Sequence, residues 1–199
     1  MQIKKSILAL GIIIAIVALA FSPKNITEYN VDKNKSKVAW VGKKVTGEHS
    51  GFIQIADGKL LAEGGTFTGG SFSIDMNSIT CTDLKDAGYN GKLVGHLKSE
   101  DFFGVEKHKT SNLVITKITS TGKDQYNVKG NLTIKGITKE IEFPATITVN
   151  ANDVTAKAKI VVDRTLYDIK YGSGSFFDNL GDKAIDNNFE LNVDLVAKK

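Results

Sequence analysis

Cys81 is the only cysteine among 199 residues. No disulfide can therefore form within one chain, and packing and hydrogen bonds must hold the fold. Prolines number only two against 19 glycines. Together with frequent Val, Ile, Thr and Phe, that ratio points to strands and turns rather than helices or Pro-rich linkers. A strong charge of either sign is also missing. The net charge is +4, two of it from Lys4 and Lys5, and the other lysines are scattered among Asp and Glu. Such a balance gives no case for nucleic acid as a partner. The three histidines, His49, His96 and His108, form no pair with one another or with Cys81 at metal-ligand spacing. No Gly-x-Ser-x-Gly elbow and no Ser-His-Asp order stands out. Gly172-Ser-Gly-Ser175 is followed by no clear helix pattern, which argues against a phosphate loop. Asp178, Asp182 and Asp186 are spaced more widely than the ligands of a calcium loop and read as a solvated segment. Cys81, with no cation close by in the sequence, reads as a small half-buried apolar residue rather than a reactive thiol.

Long hydrophobic runs are absent after residue 22. The one such run, Ile7 to Phe21, follows the basic pair Lys4-Lys5 and contains the small-x-small pattern Ala18-Leu19-Ala20. These features predict a signal peptide over residues 1–21 and one domain over 22–199. The run is short for a membrane span, which needs about 20 apolar residues. Its rival is an uncleaved N-terminal anchor. The first reading places the mature domain in the periplasm or outside the cell, with no stable membrane span after processing.

What the domain does have is period-two alternation. Tyr126, Val128, Gly130, Leu132 and Ile134 alternate with mostly polar neighbours. So do Val154, Ala156, Ala158, Ile160 and Val162, and again Phe189, Leu191, Val193, Leu195 and Ala197. Each run gives a strand with one apolar and one polar face, as in antiparallel sheets. Turns are predicted at Lys135-Gly136, Thr121–Asp124 and Asn150–Asp153. Gly64-Gly65 and Gly69-Gly70, flanking Phe67, suggest bulges or sharp bends in a curled sheet. Between Asp83 and Val105 the alternation stops. There Leu93, Val94 and Leu97 fall at helical spacing, and Asn90 is the predicted cap of a short helix that ends before a turn at Ser99-Glu100-Asp101. Closing the sheet would remove the exposed edges of such long strands.

Four stretches carry a resemblance to a known family. They are Gly70-Ser-Phe-Ser-Ile-Asp-Met-Asn-Ser-Ile79, His96-Leu-Lys-Ser-Glu-Asp-Phe-Phe103, Gly130-Asn-Leu-Thr-Ile-Lys-Gly-Ile-Thr-Lys139 and Val162-Asp-Arg164. In this order, within residues 27–197, they resemble the YceI-like family of secreted polyisoprenoid-binding proteins. One departure is local: the family often carries a proline soon after the double phenylalanine, where this chain has Lys107-His108-Lys109. The resemblance implies an all-β fold, an extended antiparallel up-and-down β-barrel of lipocalin-like form with a short inserted helix. It also implies an elongated apolar cavity for a polyisoprenoid, a quinone tail or a fatty-acid derivative. The only bound group expected is such a lipid, with no metal and no other cofactor, and the chain is expected to bind or carry it rather than to act as an enzyme. Two other classes stay open: an enzyme acting on such a lipid, with His49 or His96 as base, and a structural surface protein with a solid barrel core. A homodimer is compatible with an elongated barrel, although nothing in the chain argues for one.

The residues expected to meet the ligand follow from inward parity and from this resemblance. Trp40 and His49 lie on early strands, and Phe72 and Ile74 on the first family stretch. Phe102 and Phe103 follow the helix. Leu132, Ile134, Phe143 and Ile160 face inward on later strands. Phe52 and Phe67 are further aromatic positions that either line a pocket or fill the core. Parity along Val154–Val162 also points Arg164 inward, where it either meets a polar headgroup or makes a salt bridge at the rim.

Overall fold

The computed structural model describes residues 25–199. The predicted signal peptide, 1–21, lies outside the described residues. Nine strands follow in order: β1 (Ile26–Val31), β2 (Lys37–Lys44), β3 (Gly47–Glu63), β4 (Thr66–Cys81), β5 (Thr110–Gly122), β6 (Gln125–Ile134), β7 (Ile137–Val149), β8 (Val154–Asp163) and β9 (Ile185–Lys198). One helix, α1 (Ala87–Lys98), is inserted between β4 and β5. Each strand from β2 to β9 pairs antiparallel with the next, and β9 pairs back with β2. The result is a closed up-and-down barrel, as predicted. β1, for which the sequence shows no clear alternation, is a strand as well. It pairs with the C-terminal half of β3 (Tyr29 opposite Leu60) and continues the stave that β2 begins along the N-terminal half (Trp40 opposite Gly51). Closure leaves no long unpaired edge, which answers the aggregation hazard of strands this long.

The alternating runs become strands whose inward residues form one core. Val128, Leu132, Ile134, Val154, Ile160, Val162, Leu195 and Ala197 are all buried in it. The Lys135-Gly136 turn joins β6 to β7 with both residues at positive φ (50° and 75°). That is the two-residue hairpin whose twist suits antiparallel strands, and it explains why glycine occupies the second site. Gly64-Gly65 is a two-residue turn as well, between β3 and β4, and the irregularity lies beside it, where the register shifts between Leu61 and Ala62. Gly51 is required by a close approach: a Cβ there would lie 1.8 Å from the Thr80 carbonyl oxygen.

The helix begins earlier than predicted, and its cap is different. Asp86, not Asn90, is the N-cap, its side chain accepting from the Tyr89 N–H. Asn90 lies inside the first turns and donates to the carbonyls of Cys81 and Leu84, tying the helix to the end of β4. Short side chains at both positions suit a cap, and only tertiary contacts separate the two roles.

The two ends of the barrel differ. At one end β3–β4, β5–β6 and β7–β8 are joined by short turns, and the interior is filled by Phe67 (4 % exposed), whose ring stands 6.1 Å from those of Tyr29 and Tyr126. At the other end lie the β2–β3 and β6–β7 turns and two long connections, β4–β5, which carries α1, and β8–β9, which spans residues 164–184.

Candidate ligand-binding cavity

An elongated cavity of about 420 Å³ runs inside the barrel from the capped end toward the Phe67 plug. Its deep wall is aliphatic, with Leu60, Val128, Ala145 and Ile147. Alternation makes this wall, because every second residue of each strand must face the interior. The middle is formed by Phe72 and Ile74 on β4, Leu132 on β6, Phe143 on β7 and Ile160 on β8, all residues singled out from the sequence. Ile134, Phe102 and Phe103 border the cavity nearer the cap. Phe102 packs edge-on against His96 of α1 (4.9 Å) and at a tilt against Tyr171 of the long second connection (5.5 Å), so the two connections meet over the barrel. Phe52 does not border the cavity. It stands beneath the Lys37 ammonium, 4.0 Å from the ring centroid. Phe67 fills the closed end rather than lining the cavity.

Arg164 does point inward, 4 % exposed, and it borders the cavity. The rim salt bridge weighed for it from the sequence is not formed among the described residues. β8 has already ended at Asp163, and Arg164 opens a single 3-10 turn (Arg164–Tyr167). Its guanidinium donates to the carbonyls of Ile169 (2.7 Å), Asp186 (2.9 Å) and Ile185 (3.0 Å). Three charge-assisted bonds therefore clamp the start of the 164–184 connection to its finish, leaving two of a guanidinium's five N–H donors. Burial lowers its pKa, while Asp163 and Asp186 oppose that shift. The carbonyls come from residues in no regular alternation with Arg164, which is why parity could place the side chain but not name its partners.

Most of the polar lining gathers at the mouth. Lys43, Lys44, His49, His96, Asp186 and Asn188 border the cavity there, beside Trp40, whose indole N–H donates to the Thr80 carbonyl (3.0 Å). His49 is held by a carboxylate that sequence reasoning missed: its Nδ1 lies 2.7 Å from Asp83 Oδ2. Asp83 Oδ1 accepts from the Ser50 N–H (2.8 Å) and from Cys81 Sγ (3.2 Å). Desolvation pushes the Asp83 carboxyl up, but the hydrogen bonds from Ser50, His49 and Cys81 outweigh it and hold the group at about 2. Burial pushes the Cys81 thiol up, and the neighbouring Asp83 adds to that, so the thiol stays protonated. Because Cys81 bonds to Asp83 and not to His49, the three do not make a nucleophile–base pair. His96 Nε2 lies 3.0 Å from Asp101, a more exposed carboxylate. Among the described residues no group of His, Cys, Asp and Glu is placed to hold a metal, and no helix is long and apolar enough to cross a membrane.

Comparison with known proteins agrees with this architecture. The family model of the YceI-like domain matches residues 29–197. A UPF0312 protein of Pseudomonas putida strain W619 is 31 % identical over 155 residues, covering 76 % of this chain and 77 % of that protein. One from Azotobacter vinelandii is 30 % identical over 153 residues, covering 72 % and 73 %. Among solved structures, Burkholderia cenocepacia BcnA superposes with a TM-score of 0.69 at 24 % identity, covering 84 % of this chain and 99 % of its own. A polyisoprenoid binding domain from Saccharophagus degradans superposes with a TM-score of 0.62 at 13 % identity, covering 85 % and 97 %.

Proposed function

The chain belongs to the YceI-like domain family, and from that premise we propose that it binds one long-chain apolar molecule, a polyisoprenoid, a quinone tail or a fatty-acid derivative, and carries or sequesters it outside the cytoplasm without chemical conversion. The observation that carries this reading is the apolar cavity of about 420 Å³ inside the barrel, with charged and polar residues gathered at its capped end. Ligand pockets run from about 300 to 1,000 Å³. A tail lying against this wall gains about 0.8 kcal/mol per buried CH₂. A chain of roughly twenty carbons thus gains on the order of 16 kcal/mol gross, from which ordering the tail and losing its free motion subtract a large part. Tight binding of this kind needs no catalytic groups. The description of the Saccharophagus degradans neighbour as a polyisoprenoid binding domain supports the ligand class. The sequence of residues 1–21, read as a signal peptide, supports a place outside the cytoplasm.

The test is extraction. The protein is purified, treated with organic solvent, and the released material identified by mass spectrometry. A long-chain lipid near one per protein is the expected result. No lipid released, and none taken up on incubation with prenyl or fatty chains, would favour the solid-core reading. Conversion of an added lipid on incubation would favour an enzyme.

A further inference from the structure

We propose that His49 reads the head of the ligand, its Nε2 accepting a hydrogen bond from a hydroxyl group, so that the cavity takes long-chain alcohols in preference to chains headed by a carbonyl, a carboxylate or a phosphate. The inference rests on the cavity being a lipid site and adds the class of head it selects.

The argument begins at Asp83. Three donors converge on its carboxylate: the Ser50 N–H, the Cys81 thiol and His49 Nδ1. A carboxylate held at about 2 is ionised throughout the neutral range and can only accept. The proton between it and the ring therefore sits on Nδ1. In the neutral imidazole that leaves Nε2 as a bare lone pair, and it has no partner among the described residues. His49 borders the cavity mouth. What answers a fixed acceptor is a donor. Lys44 and Asn188 border the same mouth and supply donors. Lys43 is engaged by Glu190 (3.5 Å). A hydroxyl both donates and accepts, so it can satisfy His49 with its hydrogen and a neighbouring donor with its oxygen. A ketone, an ionised carboxylate or an ionised phosphate offers only acceptors and would set lone pair against lone pair at Nε2. His96 is less suited to this role, because the Asp101 carboxylate beside it is 57 % exposed and no third group orders it.

Trp40 is the single tryptophan and borders the cavity, so its fluorescence reports binding. At pH 8, hexadecan-1-ol and 1-fluorohexadecane, nearly equal in shape, are titrated into the full domain and into His49→Phe. The ratio of alcohol to fluoride affinity is expected to fall about tenfold in the variant, the loss of one buried hydrogen bond, while fluoride affinity holds. An unchanged ratio, with both ligands bound, overturns the role of His49 and leaves the lipid cavity standing. Failure of the wild type to bind either ligand overturns the cavity reading and this inference with it. If His49→Phe loses the fluoride too, Asp83→Asn replaces it. That variant keeps the ring in the wall but removes the charge that holds its proton on Nδ1, so Nε2 can carry the proton and the preference for hexadecan-1-ol over heptadecan-2-one must fall; an unchanged preference overturns the proposal.

Discussion

The closed end and the capped end of the barrel are built from the same eight staves, yet they spend their residues differently. At the closed end the turns are short, and aromatic rings (Phe67, Tyr29 and Tyr126) fill the space between strands. At the capped end the chain departs from the sheet twice, and polar groups hold those departures in place. Asn90 fastens α1, Arg164 clamps the 164–184 connection, and Asp83 anchors His49. A plug of side chains stabilises by burial and tolerates no ligand. A cap held by directional bonds can leave an opening beneath it. The difference between the ends puts packing at one end of the barrel core and a cavity beneath the other.

The largest effect is expected at the plug. Phe67→Ala removes a ring from a site that cannot collapse easily, and should cost about 3–5 kcal/mol in urea unfolding. A loss under 1 kcal/mol would mean that the closed end is not closed by packing. Arg164→Ala tests the cap. It leaves the carbonyls of Ile169, Ile185 and Asp186 without their donor, and about 2–3 kcal/mol should be lost. The loss should appear first as faster amide exchange in residues 164–185, with the β5–β8 hairpins still protected. Uniform loss of protection across the barrel would contradict the local clamp.

A third change sharpens the contrast without damaging either end. Ala158 borders the cavity from β8. Ala158→Phe should fill open space, change stability by less than about 1.5 kcal/mol, and weaken long-chain binding at least about tenfold, roughly 1.4 kcal/mol. Severe destabilisation instead would mean that the middle of the barrel is already packed solid.

Acid should act on the mouth before the plug. The folded value for Asp83, about 2, is depressed from 3.8. Its contribution is therefore complete above pH 4 and disappears as pH falls toward 2. With a third of the side chain exposed, solvent screening limits it to about 1 kcal/mol. Asp83→Asn should lower stability by that amount at pH 6 and make little difference near pH 2. The smallest effect is expected at Tyr167, 1 % exposed, whose hydroxyl is buried with no hydrogen-bond partner among the described residues. Tyr167→Phe should be neutral or stabilising by less than about 1 kcal/mol, and a clear loss would reveal a partner for that hydroxyl.

Much of the closed architecture was legible in the sequence, because alternation is a local signal. The inward residues of β6, β8 and β9 can be read off every second position, and with them Leu132, Ile134 and Ile160 on the cavity wall. Lys135-Gly136 announces its own hairpin. The capped end is less legible for a physical reason: its bonds join residues far apart in the chain. Asp83 meets His49 across β3 and β4, and Arg164 meets Ile185 across a whole connection. Neither pairing leaves a periodic trace. β1 escaped notice because six residues close to a long apolar run give too short a window to show alternation.

The most direct test of an apolar cavity bounded by packing at one end is a chain-length series. Straight-chain alcohols of increasing length are titrated against Trp40 fluorescence. Affinity should rise by about 0.8 kcal/mol per added CH₂ until the tail reaches Phe67, then level off, and Phe67→Ala should move that plateau to longer chains. Affinity that stays flat with chain length, or that climbs without a plateau in the wild type, would contradict an apolar cavity bounded by the Phe67 plug.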